Sequence, residues 1–389
     1  MFHGAALLGC ALLVLSVKLP ATCHCGAPPG GTVEYFPVPA DGIYTTPAVS
    51  KIATQRGRQV VWVSYSFQIK PYSYDVEKRF VRSDNGGRTW HADPHYQDRR
   101  FLNSEKAPVV YRYRPDELLM RSVDGGAHWV DCAFIVDGLS PQQFVAKVVN
   151  KESQAKLSFS LSAIQPGSPS TIYGVLVIGP DPETLKTIGL PGVYVSHDAG
   201  DHWSMFAPDL RGWDPDESNS VLGINPSNPK QMLGHAKSGL VISADGGVTW
   251  RPVGQQSELE KPAEIKGRKD AIAQRPDASS IPIYPTWAYL KVYQIEFQRG
   301  SGAIYLLTNK GLYRSEDSAQ TWCLVYSGTP SVSELTSLVF DPDNPKRLFV
   351  NTRTNILISD DGACHFRVLL DATRFARSKQ DRTSTSQSR

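Results

Sequence analysis

Short apolar runs separated by turn residues set the pattern of this chain. Runs of β-branched, aliphatic and aromatic residues fall at 157–164, 172–178, 292–297 and 303–308, and in tighter sets at 221–224, 231–235 and 239–242, then 335–340, 347–352 and 355–358. Each is only about four to eight residues long and is bounded by Gly, Pro, Asn or Asp, the pattern of strands joined by tight turns. Two of those turns are near copies, Asn225-Pro226-Ser227-Asn228-Pro229 and Asp341-Pro342-Asp343-Asn344-Pro345. Helical periodicity is nearly absent: 140–155 reads as a short helix or loop, and 254–280 is polar, charged and without alternation.

A second pattern is superimposed on the first. Eight residues of the form Ser-x-Asp-x-Gly-x-Thr/His-aromatic recur six times, beginning at Ser83, Ser122, Ser196, Ser243, Ser315 and Ser359. Each copy follows a short apolar strand and precedes another extended run, so each predicts a hairpin turn. The aspartate can accept from turn N–H groups, the glycine can take φ > 0, and the terminal aromatic can bury a large apolar area. The residues in question are Asn85 and Trp90, Asp124 and Trp129, Asp198 and Trp203, Asp245 and Trp250, Asp317 and Trp322, and Asp361 and Phe366. Asn85 replaces the aspartate, Ala319 and Ala363 replace the glycine, and Phe366 replaces tryptophan, so the fifth and sixth turns are expected to be looser. Successive copies lie 39, 74, 47, 72 and 44 residues apart. A recurring unit at this spacing marks a repeat protein. Each long gap contains strands for one unit plus an insertion. The expectation is an all-β, six-bladed β-propeller of four-stranded antiparallel blades over 32–372, with seven blades as the alternative. The extended stretch 32–38 is the expected partner for the last sheet's open edge.

The octamers resemble the Asp-box, or BNR, repeat of sialidases and related propellers. The surrounding units are also similar to those of xyloglucanase-type glycosidases, photosystem II assembly factors and the luminal domain of sortilin. The resemblance implies that the octamers are structural and that ligands meet the opposite face, built from second-to-third-strand turns and blade-to-blade connections. Sialidases also carry an arginine in an Arg-Ile-Pro stretch just before the first blade. Thr45 of Tyr44-Thr45-Thr46-Pro47 stands in that place, and 59–67 shows no match for the acid/base aspartate. Without the guanidinium fork sialic acid loses its main anchor.

Composition narrows the function without choosing it. Hydrophobic residues make up 41% of the 389 positions, compatible with a well-buried core. A net charge of +3 with 20% charged residues gives no argument for a nucleic-acid partner. Residues 1–27 read as a signal peptide and leader, with an apolar stretch at 5–17 too short to span a bilayer. Secretion or a periplasmic location is therefore expected, ahead of a lipoprotein. The tail 373–389 is polar and basic and is expected to be disordered. Of six cysteines, Cys10, Cys23 and Cys25 lie in the leader and Cys132, Cys323 and Cys364 in the body. No zinc pattern is present, and Cys323 with Cys364 is the suggested disulfide, since both lie beside turns of adjacent units.

The candidate site lies at 206–220, where Asp209, Arg211, Trp213, Asp214, Asp216 and Glu217 concentrate. A tryptophan among carboxylates suits a sugar, with a flat apolar surface and polar acceptors around it. Tyr284 and Trp287 form a second aromatic cluster, and Tyr74 a third position on the same face. The expected function is binding of a glycan or an extracytoplasmic protein, without cofactor, metal or nucleic acid, by a chain that is monomeric and without a membrane span once mature. One alternative is a glycoside hydrolase using Asp214 and Glu217 as a carboxylate pair. Another is a scaffold for assembling a membrane complex. Binding is favoured over catalysis.

Overall fold

The computed structural model describes residues 43–55, 58–68, 76–93, 107–113, 119–149, 155–179, 188–210, 222–236, 239–253, 292–326, 335–352 and 355–371. They form six small sheets arranged as a six-bladed β-propeller. The first blade is β1 (Ile43–Gln55), β2 (Arg58–Gln68), β3 (Val76–Ser83) and β4 (His91–Ala92), paired in chain order. The second shows β5 (Val110–Tyr113), β6 (Leu119–Ser122) and β7 (Val130–Asp131).

The third blade is the largest. It is preceded by β8 (Ile135–Val136) and the helix α1 (Pro141–Val149), then built from β9 (Lys156–Ile164), β10 (Ile172–Gly179), β11 (Ile188–Gly189), β12 (Val193–Ser196) and β13 (His202–Ala207). β8 pairs in parallel with the outer strand β13, and β11 joins β10 beyond the end of β12. These two-residue strands depart from the expected four-stranded antiparallel form. They cover backbone that would otherwise be left at a sheet edge. Phe144 and Val145 bury the inner side of α1, and Ser140 and Gln143 cap its N-terminus reciprocally.

The last three blades are regular. They comprise β14 (Leu222–Ile224), β15 (Met232–Ala236), β16 (Gly239–Ser243) and β17 (Arg251–Pro252); β18 (Val292–Phe297), β19 (Ile304–Thr308), β20 (Gly311–Ser315) and β21 (Cys323–Tyr326); and β22 (Leu335–Phe340), β23 (Leu348–Thr352), β24 (Asn355–Ser359) and β25 (Arg367–Asp371). Their second strands are buried throughout, as strands covered on both faces require.

The core lies between blades. Five apolar clusters fill the second–third, third–fourth, fourth–fifth, fifth–sixth and sixth–first seams. The ring therefore closes by burial of Val61, Val63 and Val81 of the first blade against Phe349, Ile356 and Leu369 of the sixth. At roughly 1.5–3 kcal/mol per fully buried large aliphatic or aromatic side chain, such a seam contributes several kcal/mol. The stretch 32–38, the leader and the tail lie outside the described residues. The sequence Tyr44-Thr45-Thr46-Pro47, expected just ahead of the first blade, instead falls inside β1.

Candidate functional site

Two faces of the propeller follow from the strand order. The octamers join third to fourth strands, on the same side as the turns joining first to second strands. The two sets of turns are bonded together: the N–H groups of Gly86, Ala199, Gly246 and Gly362 reach the carbonyls of Gln59, Ser170, Lys230 and Lys346 at 2.8–3.1 Å.

Inside each octamer the serine is a buried hub. Its Oγ donates to Oδ1 of the aspartate or asparagine at 2.6–2.9 Å. It accepts from the fifth residue's N–H at 2.7–3.0 Å. The seventh residue's N–H also reaches Oδ1, and in five copies its side chain meets the other carboxylate oxygen. In the first copy, Thr89 accepts from the Asn85 amide instead. Ala319 and Ala363 adopt φ of 68° and 70° and keep the full bonding pattern. The fifth and sixth turns are thus no looser than the others, because the serine hub and aspartate hold them whatever occupies the fifth position.

These bonds hold the carboxylates of Asp124, Asp198, Asp245 and Asp361 ionised. Hydrogen bonds from the Thr249 hydroxyl and N–H and from Ser243 set Asp245 at about 2. Burial raises Asp198, but the His202 N–H, the His202 ring and Ser196 outweigh it and hold it at about 2. Asp361 is lowered in the same way against its burial, and Asp124 is lowered by His128 and Ser122.

The aromatic ends of five octamers pack into the seams, while Trp129 lies under Arg112 of its own blade. Trp203 stacks between Phe134 and Phe159, with centroids 5.2 and 4.3 Å away. Phe366 meets Tyr326 edge-on at 5.3 Å. Trp250 is half-buried and lines the wall of an open groove.

That groove, about 640 Å³ in volume, follows the outer seam between the third and fourth blades. Phe206, Pro208 and Asp209 form one side, Val241, Val248 and Trp250 the other. Phe206 approaches Trp250 edge to face, with centroids 6.3 Å apart at 83°, and braces on Tyr173 at 4.8 Å. Its ring can lie there only because the facing octamer residue is Gly247, where a Cβ would come within 2.1 Å of the Phe206 ring. Leu210 bridges to Ala236 at the connection-face end, and Val248 is 81% exposed at the other.

Of the sequence-predicted site residues, Asp209 is the one that falls in the described structure, exposed on this groove. Arg211, Trp213, Asp214, Asp216, Glu217, Tyr284, Trp287 and Tyr74 lie outside the described residues. Phe206 carried no expected binding role, and Trp250 only a structural one. Their signal was slight: Phe206 opens the segment that holds Asp209, and Trp250 closes the facing octamer. Among the described residues no cluster of His, Cys, Asp and Glu could hold a metal ion, and no helix is long and apolar enough to cross a membrane.

No family model matches the chain, and no curated protein matches it. Among solved structures it is similar to an ancestral GH74 enzyme, at 14% identity over 69% of this chain and 30% of that one, with a TM-score of 0.40. It is also similar to the GH74 xyloglucanase from Xanthomonas campestris, at 15% identity over 85% and 50% of the two chains, TM-score 0.24. A third is apo AztD from Citrobacter koseri, at 10% identity over 83% of both chains, TM-score 0.33. The chain spans 30% and 50% of the lengths of the first two. Likeness at this level says nothing of what the chain binds or does.

Proposed function

We propose that this chain is an exported Asp-box propeller that binds a glycan without hydrolysing it, at the seam between its third and fourth blades. The observation that carries the reading is the juxtaposition of Phe206, Trp250 and Asp209 in one open groove. Aromatic faces take the apolar side of a pyranose ring, and a carboxylate accepts from its hydroxyls. The serine-hub geometry supports the Asp-box reading, and the disulfide bonding of Cys323 and of Cys364 supports an oxidising compartment. Hydrolysis would need a second carboxyl group about 5–10 Å from the first.

The test is a glycan array with the purified chain, followed by calorimetry with Asp209→Asn and Phe206→Leu. Binding lost in both variants with unchanged melting supports the reading. Undiminished binding in both, or release of reducing sugar by the unmodified chain, refutes it.

A further inference from the structure

The fifth–sixth seam is joined at its inner end by a side chain. β18 and β22 are the first strands of their blades and belong to separate sheets. Gln294 of β18 spans the space between them: its Oε1 accepts from the Leu338 N–H at 2.8 Å, and its Nε2 donates to the Leu338 carbonyl at 2.9 Å. The side-chain amide thus stands in for the peptide of a neighbouring strand. Nε2 carries a second hydrogen, and Oε1 of Glu296 accepts from that nitrogen at 2.8 Å.

Glu296 lies two residues further along β18, on the face that meets the sixth blade. It stands opposite Tyr305 in the β18–β19 register, and Tyr305 packs edge-on against Phe340 of β22 at 5.2 Å. Leu335, Leu338 and Val350 belong to the same apolar cluster. Glu296 is partly buried there. Burial pushes its carboxyl up from the ordinary glutamate value, and the Gln294 hydrogen bond, which lowers it, is the lesser influence. Titratable groups on the adjoining elements are engaged elsewhere. Tyr305 and Arg314, opposite each other on β19 and β20, both donate to the Gly362 carbonyl. Asp341, beyond the end of β22, is bonded to Gln59 and to the Asp343 N–H. His235 of β15 shares the face of Leu233, which packs with Ile295 on the other side of β18. Tyr293 is the other titratable side chain of β18, and β14 and β22 carry none.

We infer that Gln294 and Glu296 form a proton-operated latch at the inner end of the fifth–sixth seam, closed while the Glu296 carboxyl holds its proton and loosened when that proton passes to water. A carboxylate left among apolar side chains must regain hydration. Water can enter between β18 and β22 without breaking a strand ladder, because the Gln294 side chain is what spans them there. Ionisation also draws the Gln294 N–H into a charge-assisted bond, away from the Leu338 carbonyl that shares the same nitrogen. Once opened, the carboxyl ionises at about 4.3, as an exposed glutamate does, and the closed form ionises above that. Between those values the closed form holds the extra proton, so closure weakens as pH rises, by at most about tenfold per pH unit for one proton.

The test is native-state hydrogen exchange of the Leu338 amide in the full chain at about pH 5 and about pH 8, each rate divided by its intrinsic rate. In the unmodified chain protection is expected to fall at least about tenfold over this interval. Glu296→Gln keeps an acceptor for Gln294 but cannot ionise, and its protection is expected to hold within about twofold. Histidines titrate in the same interval, so the difference between the two chains is the readout. Equal protection at both pH values in the unmodified chain, or the same fall in Glu296→Gln, overturns the inference. If Glu296→Gln does not fold, carbon-13 NMR of the Glu296 carboxyl in the unmodified chain decides: a midpoint above about 5 supports the latch, and one at or below that overturns it.

Discussion

Gln59 of the first blade donates its side-chain amide to Asp341 of the sixth, 282 residues further along the chain. Asp341 is 4% exposed and also accepts from the N–H of Asp343 in its own turn. It thus ties the turn of the last blade to the start of β2, above the apolar seam that closes the ring. Similar links run around this face. Gln231 reaches Ser318 across the fourth–fifth seam, and Gln298 reaches the Pro345 carbonyl across the fifth–sixth. Asp341→Ala should lower stability by about 2 kcal/mol, the usual cost of losing bonds to a buried charged acceptor. Asp341→Asn should cost about half as much. Urea unfolding with a constant slope measures both; an Asp341→Ala midpoint equal to that of the unmodified chain would mean the link contributes nothing to closure.

Two octamer glycines separate backbone strain from packing. Gly87 has φ of +90°, and a Cβ there would sit 2.1 Å from Cδ1 of Leu369 in the sixth blade. Gly125 has φ of +69° with nothing within 4 Å of the same position. Gly125→Ala should cost only the left-handed backbone term, about 1–2 kcal/mol. Gly87→Ala adds an overpacking cost of about 1–3 kcal/mol, paid in the closing seam. Equal melting temperatures for the two variants would show that Leu369 yields freely.

Much of this architecture is legible in the sequence. The runs at 292–297 and 335–340 coincide with β18 and β22, short segments rich in aliphatic and aromatic residues between strong turn signals. Cys323 and Cys364, which flank octamers of consecutive blades, are both disulfide-bonded, but spacing alone does not fix their connectivity. β8 and β11 could not be foreseen: two residues carry no periodicity, and their pairing is set by tertiary contact. The groove was hidden for a similar reason. It exists because Gly247 of one blade leaves room for Phe206 of another, and nothing local to either residue records that fit. The intact bonding around Ala319 and Ala363 shows the octamer's serine and aspartate outweighing the one residue that seemed essential to the turn.

The octamer carboxylates also set an acid limit. Asp198 and Asp245 titrate at about 2 in the folded chain, and Asp124 and Asp361 are lowered too. A carboxyl group with a depressed folded pKa stabilises the fold above its unfolded pKa of roughly 4, and that contribution is lost as pH falls through the folded value. Stability should therefore decline between about pH 4 and pH 2. Asp198→Asn should flatten that decline, whereas Asn85→Ala should leave its shape unchanged because Asn85 does not titrate. Denaturant midpoints across this pH range give the comparison. A profile that is flat in the unmodified chain would contradict the ionised-turn account.

Val248 allows the groove to be tested without disturbing the core. It is 81% exposed and lines the same groove as Asp209, so Val248→Asp adds a second negative charge to the groove while removing little buried surface. Surface changes of this kind usually alter stability by less than about 0.5 kcal/mol. If the groove holds a glycan against Phe206 and Trp250, the added solvated carboxylate should weaken binding about tenfold, a cost of roughly 1.4 kcal/mol. Gly247→Ala should act from the other side by forcing the Phe206 ring off the wall, with a loss of both affinity and stability. Calorimetric titration of the two variants against the best array ligand distinguishes the possibilities. Unchanged affinity in Val248→Asp, with binding intact in the unmodified chain, would move the site away from the third–fourth seam.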